Sequence, residues 1–324
     1  MICRFATLVE NLKLRQLSKP AMRRISILLL LAVFGLAVRA ADVPAINDPA
    51  TTDSFPGKFV WADLFTSDQA AAATFYTGLF GWTATTIDRT TPERGPLSYI
   101  VLSNGDRPVA GIALGPPALR NDVRGHWLGF VSVPDVTKAL AEAVANGGHV
   151  LSPTREVPQR GVQAMFYSNE GAILGVLHSS SGDPGEYRPE VGDFTWAEVF
   201  AQNPGTAAQF YRNVLGYDAA AATEPSRPDT TLFSSGGYAR ASLAPLPNRP
   251  NAHPAWLLFV RVGSIADSLA KATQLGGRVL VQPVEVHGNS WIAIIADPVG
   301  AALGLVEKEK AAPTPAPAPP PAQP

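Results

Sequence analysis

The chain contains a single cysteine, Cys3, which lies ahead of an apolar run that is typical of a leader. A disulfide needs two cysteines, and a zinc site built on thiolates usually needs several. Once a leader is removed, the remaining protein has no thiol for either structure or for a cysteine nucleophile. A chain without cysteine suits an oxidising compartment.

Charged residues are also scarce, at 16% of 324 residues, and they balance to a formal net charge of -1. Proteins that bind nucleic acid or anionic membranes usually carry a surplus of Lys and Arg on one face. The composition therefore argues against nucleic acid, and we expect a small molecule or another protein as partner. Hydrophobic residues reach 46%, which is enough for one large domain or two ordinary ones.

Several common catalytic motifs are absent from the sequence. It contains no Gly-x-Ser-x-Gly nucleophile elbow, no phosphate-binding loop and no Gly-x-Gly-x-x-Gly after a predicted strand. Hydrolase, nucleotide-binding and dinucleotide-binding functions therefore have no support in the sequence.

The segment 1–40 has the composition of a leader and signal peptide. Arg23 and Arg24 precede an apolar run over 25–38, and Ala40 offers a cleavage site, whether Met1 or Met22 is the true start. The run is shorter than the roughly 20 residues of a membrane span, although an uncleaved anchor is the alternative. We expect an exported protein, periplasmic or secreted, that is not membrane-bound after cleavage. At the other end, 309–324 is rich in Pro and Ala and predicts a disordered tail.

An internal repeat defines the domain organisation. The segment FVWADLF at 59–65 returns as FTWAEVF at 194–200. Later matches, such as Trp127 with Trp256, follow in the same order at a slightly smaller separation. Two similar domains are therefore predicted at 57–180 and 193–308, joined by a linker over 181–192 that is rich in Gly and Pro.

Each domain divides again into two modules. Periods of two and 3.6 residues predict the order β-α-β-β-β in each module, which occurs four times in the chain. The predicted fold class is α+β, with paired βαβββ modules in tandem. The oligomeric state is not indicated by the sequence.

These features resemble the vicinal-oxygen-chelate superfamily, which includes glyoxalases, bleomycin-resistance proteins and extradiol dioxygenases. The resemblance covers nearly all of 57–308 and depends on the repeated first strand, on Phe75-Tyr76 with the following Leu-Phe-Gly-Trp turn, and on the motif Asp-Pro-Val-Gly at 297–300. In the first domain this motif has become Ser-Asn-Glu-Gly at 168–171. The resemblance implies that modules pair into a curved mixed sheet around a cleft, with helices outside.

The resemblance also implies a metal site, but the residues at its positions are unsuited to it. Metal-dependent members place His or Gln on the first strand of a module and Glu on the last strand. The corresponding positions here hold Trp, Leu and Gly, at Trp61, Leu128, Gly175, Trp196, Leu257 and Gly304. None of these side chains supplies a nitrogen or oxygen donor of the kind that divalent metals require. We therefore predict no metal and no other cofactor.

Strand alternation places an acid beside a tryptophan on the predicted cleft face of each domain: Trp61 with Asp63, and Trp196 with Glu198. The acids could contact a ligand or act as a general base. Alternatively, each acid accepts internal hydrogen bonds and each tryptophan fills the former metal space. Trp127 and Trp256 are further candidate ligand contacts, with core packing as their alternative.

Three functional hypotheses follow. The first is binding of a small apolar or aromatic molecule in a metal-free cleft, contacted by Trp61, Asp63, Trp127, Trp196, Glu198 and Trp256. The second is a lyase or dioxygenase-type enzyme with a non-standard or absent metal site, in which Asp63 or Glu198 is the base. The third is a structural or protein-interaction module.

Overall fold

The computed structural model describes residues 43–91, 95–114, 125–223, 227–249, 252–286 and 290–307, without the side chains of 89–91 and 95–97. The predicted leader at 1–40 and the predicted tail at 309–324 lie outside these ranges. None of the helices in the described part of the chain is long and apolar enough to cross a membrane.

Two modules form the first half of the described chain. Their elements, in order, are β1 (Phe59–Thr66), α1 (Gln69–Phe80), β2 (Thr83–Thr91), β3 (Gly95–Asn104), β4 (Arg107–Leu114), β5 (His126–Ser132), α2 (Val136–Ala145), β6 (His149–Val157), β7 (Gly161–Tyr167) and β8 (Ile173–Ser179). Asp68 and Asp135 begin the two helices, because their carboxylates accept hydrogen bonds from Ala71 N and Lys138 N.

The second half repeats this order. Its elements are β9 (Phe194–Ala201), α3 (Pro204–Leu215), β10 (Asp218–Ala221), β11 (Thr231–Ser235), β12 (Tyr238–Pro245), β13 (Ala255–Val262), α4 (Ile265–Gln274), β14 (Arg278–Val286), β15 (Ser290–Ala296) and β16 (Ala302–Glu307). Gly81 and Gly216 end α1 and α3 with φ of 74° and 70°, a left-handed conformation that glycine adopts without strain.

Each half forms one eight-stranded mixed sheet. The strand orders are β2-β3-β4-β1-β5-β8-β7-β6 and β10-β11-β12-β9-β13-β16-β15-β14. The two modules of a half meet where β1 pairs antiparallel with β5, and where β9 pairs antiparallel with β13. The predicted α+β fold of paired βαβββ modules in tandem is confirmed.

The helices of both halves share one hydrophobic core. Leu64 pairs with Trp127 across β1 and β5, and both side chains lie on the helix-covered face, together with Phe75 and Tyr76 of α1. Residues of the second half, including Phe210, belong to the same cluster. Helix α1 packs against α4 and α2 against α3, so the two halves bury their helical faces against each other.

Matched polar networks join the two halves inside this core. Trp127 Nε1 donates to the Tyr76 hydroxyl at 2.8 Å, and that hydroxyl donates to Asp297 Oδ2 of the second half at 3.1 Å. In the mirrored position, Trp256 Nε1 donates to the Tyr211 hydroxyl at 3.1 Å, and Tyr211 is hydrogen-bonded to Ser168 of the first half. Burial and the nearby Asp297 raise the pKa of Tyr76, so its hydroxyl stays protonated and can donate.

The turns after α1 and α3 also reach across to the other half. Trp82 Nε1 donates to the carbonyl of Gly192 at 2.9 Å, and the Tyr217 hydroxyl donates to the carbonyl of Gly57 at 2.7 Å. Each contact fixes the segment that leads into the first strand of the opposite half. The Leu-Phe-Gly-Trp turn and its counterpart, Val-Leu-Gly-Tyr at 214–217, therefore help to hold the tandem together.

Candidate functional site

The face of each sheet that is turned away from the helices carries the candidate site residues. In the first half this face, called here the first cleft, includes Trp61, Asp63, Phe65 and Phe130. The second cleft is its counterpart, with Trp196, Glu198, Phe200 and Phe259. The internal repeat makes the two clefts a matched pair whose differences can be examined residue by residue.

The metal site of the family does not fit either cleft. Phe130 pairs with Gly175, and Phe259 pairs with Gly304, at the positions where metal-dependent members have Glu. A Cβ atom on either glycine would collide with the phenylalanine ring beside it, so the ring already fills that space. Within the described residues, no group of three His, Cys, Asp or Glu side chains is placed to hold a metal ion.

The first cleft is closed by internal contacts. Asp63 Oδ1 accepts hydrogen bonds from Trp61 Nε1 at 2.8 Å and from the Tyr99 hydroxyl at 2.7 Å. Trp61 is 5% exposed and Asp63 is 8% exposed, so neither is accessible to a ligand. Burial and the Asp63 carboxylate raise the pKa of Tyr99, which keeps its hydroxyl as a donor. Asp63 is therefore an internal hydrogen-bond acceptor in this structure, which is the alternative to a ligand contact.

Residues 43–53, called here the N-terminal strap, cover this cleft. Ile46 belongs to the same hydrophobic cluster as Trp61, Phe65 and Phe130, and it is 7% exposed. Arg160 lies over Trp61, with its guanidinium 3.8 Å from the centre of the indole ring. The strap and Arg160 occupy the space that a small ligand would need.

The second cleft keeps accessible apolar walls. Leu257, Phe259 and Val306 form its buried floor. Four side chains that pack on this floor are only partly buried, namely Trp196, Phe200, Ile292 and Ile294. Their counterparts in the first cleft, which are Trp61, Phe65, Gln163 and Met165, are all buried. Among the described residues, no segment covers the second cleft as the strap covers the first.

A polar group interrupts the apolar surface of the second cleft. Glu198 is 2% exposed, and its Oε1 pairs with the guanidinium of Arg227, a side chain that is 31% exposed. Trp196 Nε1 donates to Ser242 Oγ at 2.9 Å. Ser242 pairs with Glu198 as Gly111 pairs with Asp63 in the first half, so the two residues occupy the same position. In the first half, the Tyr99 hydroxyl lies over Gly111. The cleft thus combines an aromatic wall with a partly exposed cation whose charge a carboxylate balances.

The placement of Trp127 and Trp256 corrects their expected role as ligand contacts. Each lies on the helix-covered face, 7% exposed, and donates its Nε1 hydrogen to a buried tyrosine. The strand pairing explains this, because Trp127 lies opposite Leu64 of the core while its neighbour Leu128 lies opposite Asp63 of the cleft. Both tryptophans therefore pack in the hydrophobic core, which was the alternative to a ligand contact.

A groove of about 1070 Å³ lies at the starts of β1, β4, β9 and β12, and its lining includes parts of the strap and of the linker as well as Trp61 and Trp196. Two cations of its lining, Lys58 and Arg240, contact the linker. Lys58 Nζ donates to the carbonyls of Pro184 and Gly185 at 2.7 Å, and Arg240 pairs with Glu186 at 2.6 Å. These contacts hold the linker in the groove.

Sequence reasoning missed the side chains that determine the difference between the clefts. They are Tyr99, Arg160, Arg227 and Ser242. Tyr99 and Ser242 lie on strands, where alternation with a cleft-facing neighbour could have identified them. Arg160 follows Gln159 in a turn, and Arg227 lies outside the strands, so neither belongs to a periodic pattern.

Comparison with known proteins identifies the family of both halves. A profile of the glyoxalase/bleomycin resistance protein/dioxygenase superfamily matches residues 58–175, and a glyoxalase-like domain profile matches 196–306. A Mycobacterium tuberculosis protein described as a candidate glyoxylase is 28% identical over 249 residues, which cover 76% of this chain and 93% of the relative. The anthracycline biosynthesis protein DauV of a Streptomyces species is 28% identical over 271 residues, covering 80% of this chain and 96% of the relative.

Solved structures share the fold at lower identity. A Mn(II)-bound glyoxalase from Novosphingobium aromaticivorans aligns with a TM-score of 0.55 and 13% identity, covering 79% of this chain and 84% of the other. An extradiol ring-cleaving dioxygenase from B. fuscum aligns with a TM-score of 0.54 and 15% identity, covering 81% of this chain and 74% of the other. Because superfamily profiles match both halves and solved proteins share the fold, the chain belongs to the glyoxalase/bleomycin-resistance/dioxygenase (vicinal-oxygen-chelate) superfamily, with two such domains in tandem.

Proposed function

We propose that this protein is an exported binding protein that holds a small, flat apolar or aromatic molecule in its second cleft without a metal. The observation that carries the proposal is the difference between the clefts: the aromatic wall of Trp196 and Phe200 is partly exposed, whereas Trp61 and Phe65 are buried. A partly exposed apolar wall with a few polar groups is the usual composition of a small-molecule site. The predicted signal peptide supports export.

The polar groups suggest how such a molecule is oriented. Arg227 offers N–H donors at the edge of the cleft, and Glu198 keeps that cation in place. A planar ligand stacked on Trp196 could place a hydroxyl, carbonyl or carboxylate oxygen against the Arg227 guanidinium. One relative takes its name from anthracycline biosynthesis, so an anthracycline is a reasonable first probe: it is planar, aromatic and fluorescent.

Removal of the Trp196 indole tests the assignment. In a fluorescence titration with an anthracycline, we expect Trp196→Ala to weaken binding by about tenfold or more, because aromatic side chains dominate binding to flat ligands. The matched control is Trp61→Ala, which removes the same group from the closed cleft and should leave the affinity unchanged. Equal affinity of wild type and Trp196→Ala would contradict the proposal.

Two further measurements with the same probe and protein distinguish binding from catalysis. A binding protein returns its ligand unchanged, so mass spectrometry of the probe after long incubation should show only the starting compound. Metal analysis of the purified protein should find no stoichiometric divalent ion, as the side chains at the family's metal positions predict. A converted probe, or about one metal ion per cleft, would instead favour the lyase or dioxygenase hypothesis.

A further inference from the structure

The N-terminal strap is bound in the way that peptide ligands are bound. Val43 and Ile46 are 3% and 7% exposed, while residues 48–54, which follow them, are all exposed. Val43 packs in a cluster with Tyr99, and Ile46 packs in the cluster of Trp61 and Phe130. Two buried aliphatic anchors in an otherwise accessible segment are typical of a short peptide in a groove.

The backbone of the strap is recognised as well as its side chains. Ser181 Oγ accepts hydrogen bonds from Ile46 N at 3.0 Å and Asn47 N at 3.1 Å, and the Ser181 carbonyl accepts from Thr51 N at 2.8 Å. Asn47 Nδ2 donates to the carbonyl of Asp183 at 2.9 Å. These contacts fix the register of the segment with respect to the end of the first domain.

Arg160 provides the third point of attachment. It is 3% exposed, lies over Trp61, and donates from Nε to the carbonyl of Pro44 at 3.1 Å. Its buried Nη2 has no acceptor among the described residues, and a buried donor without a partner is costly. Arg160 is thus a cationic clamp with capacity for a further carbonyl or carboxylate oxygen.

From this arrangement we propose that the first cleft is a peptide-binding site whose ligand is the chain's own N-terminal strap. The pattern it recognises is an aliphatic residue, a proline, one further residue, an aliphatic residue and an asparagine, as in 43–47. The site does not depend on the small-molecule function of the second cleft. A tethered segment has an effective concentration in the millimolar range, so free peptide at micromolar concentration should not displace it.

A full-length variant with a weakened strap tests the proposal. Ile46→Asp places a charge among Trp61, Phe65 and Phe130, and should release the strap while leaving the domain's own strands intact. The probe is a fluorescein-labelled peptide with the sequence of residues 41–54. We expect its fluorescence anisotropy to rise with the Ile46→Asp protein, and its affinity for the wild-type protein to be at least about tenfold weaker, because the cleft is already filled.

Controls distinguish recognition from non-specific adhesion. A labelled peptide that itself carries Ile46→Asp should not bind the variant protein, and adding Ser181→Ala to the Ile46→Asp protein should weaken binding of the wild-type peptide. Hydrogen exchange at Ile46 and Asn47 reports directly on strap release, because both amides donate to Ser181. The proposal is overturned if the strap of Ile46→Asp stays protected, if the released protein fails to bind the peptide, or if wild type and variant bind it equally.

Discussion

Asp297→Ala is expected to lower the free energy of unfolding by about 3 kcal/mol, the largest single effect among the polar residues of the core. Asp297 is 1% exposed, and its Oδ1 accepts hydrogen bonds from Val299 N, Gly300 N and Ala301 N at 2.8–2.9 Å. Its Oδ2 accepts from the Tyr76 hydroxyl of the other half. Alanine removes this acceptor from all four donors: Ala301 N and the Tyr76 hydroxyl are left buried without an acceptor, while Gly300 N keeps only its hydrogen bond to the carbonyl of residue 297.

Ser168→Ala is the matched comparison, since Ser168 occupies the same position in the first half. Its Oγ accepts weaker hydrogen bonds, from Ala172 N at 3.1 Å and Glu170 N at 3.3 Å, and Ser168 is also hydrogen-bonded to Tyr211 of the other half. We expect a loss of only about 1 kcal/mol. Urea denaturation of both variants measures the difference. Similar losses for the two substitutions would show that the Asp-Pro-Val-Gly motif has no special part in joining the halves.

Gly304→Ala is expected to destabilise the protein by about 3 kcal/mol, at the upper end of the cost of overpacking a core. The added methyl group would collide with the ring of Phe259, which is 3% exposed and part of the cleft floor. The neighbouring strands are paired on both sides of β16, so the backbone has little freedom to move away. The same collision would prevent a glutamate at this position from restoring a metal site.

Gly205→Ala controls for the general effect of removing a glycine. Gly205 lies in α3, and an added Cβ would meet nothing within 4 Å. The change should be neutral or stabilise by up to about 0.5 kcal/mol, because alanine favours the helix. Thermal unfolding of the two variants provides the comparison. A fully stable Gly304→Ala protein would mean that Phe259 does not fill the former metal position.

The fold could be predicted because its pattern occurs four times in the sequence. Alternation in the first strands, the helical period that follows it, and the internal repeat together predict the modules and their pairing. The placement of Trp61 and Asp63 on the cleft face followed from the same alternation, and the register confirms it.

Trp127 and Trp256 were expected to contact a ligand, but the order of residues on their strands already indicates that they face the core. Leu128 occupies a family ligand position that faces the cleft, and adjacent residues on a strand face opposite sides. Trp127 therefore had to face the helices. This strand-parity argument applies equally to Trp256 beside Leu257, and both tryptophans lie in the core.

The difference between the clefts could not be predicted from the sequence. The strap has no periodic pattern, and Ile46 is separated from its hydrogen-bond partner Ser181 by nearly the whole first domain. Arg227 lies between β10 and β11, and its approach to Glu198 depends on the path of that connection. Such long-range contacts follow from the folded structure, not from local preference.

Filling each cleft in turn tests the central claim, that the second cleft binds the small molecule and the first does not. Ala302 and Ile173 occupy matched positions of the repeat, at the starts of β16 and β8, and each packs on the floor of its own cleft. In a calorimetric titration with the anthracycline probe, we expect one binding site per chain in wild type, none in Ala302→Trp and one in Ile173→Trp. Binding that survives Ala302→Trp, or that disappears in a folded Ile173→Trp protein, would contradict the account.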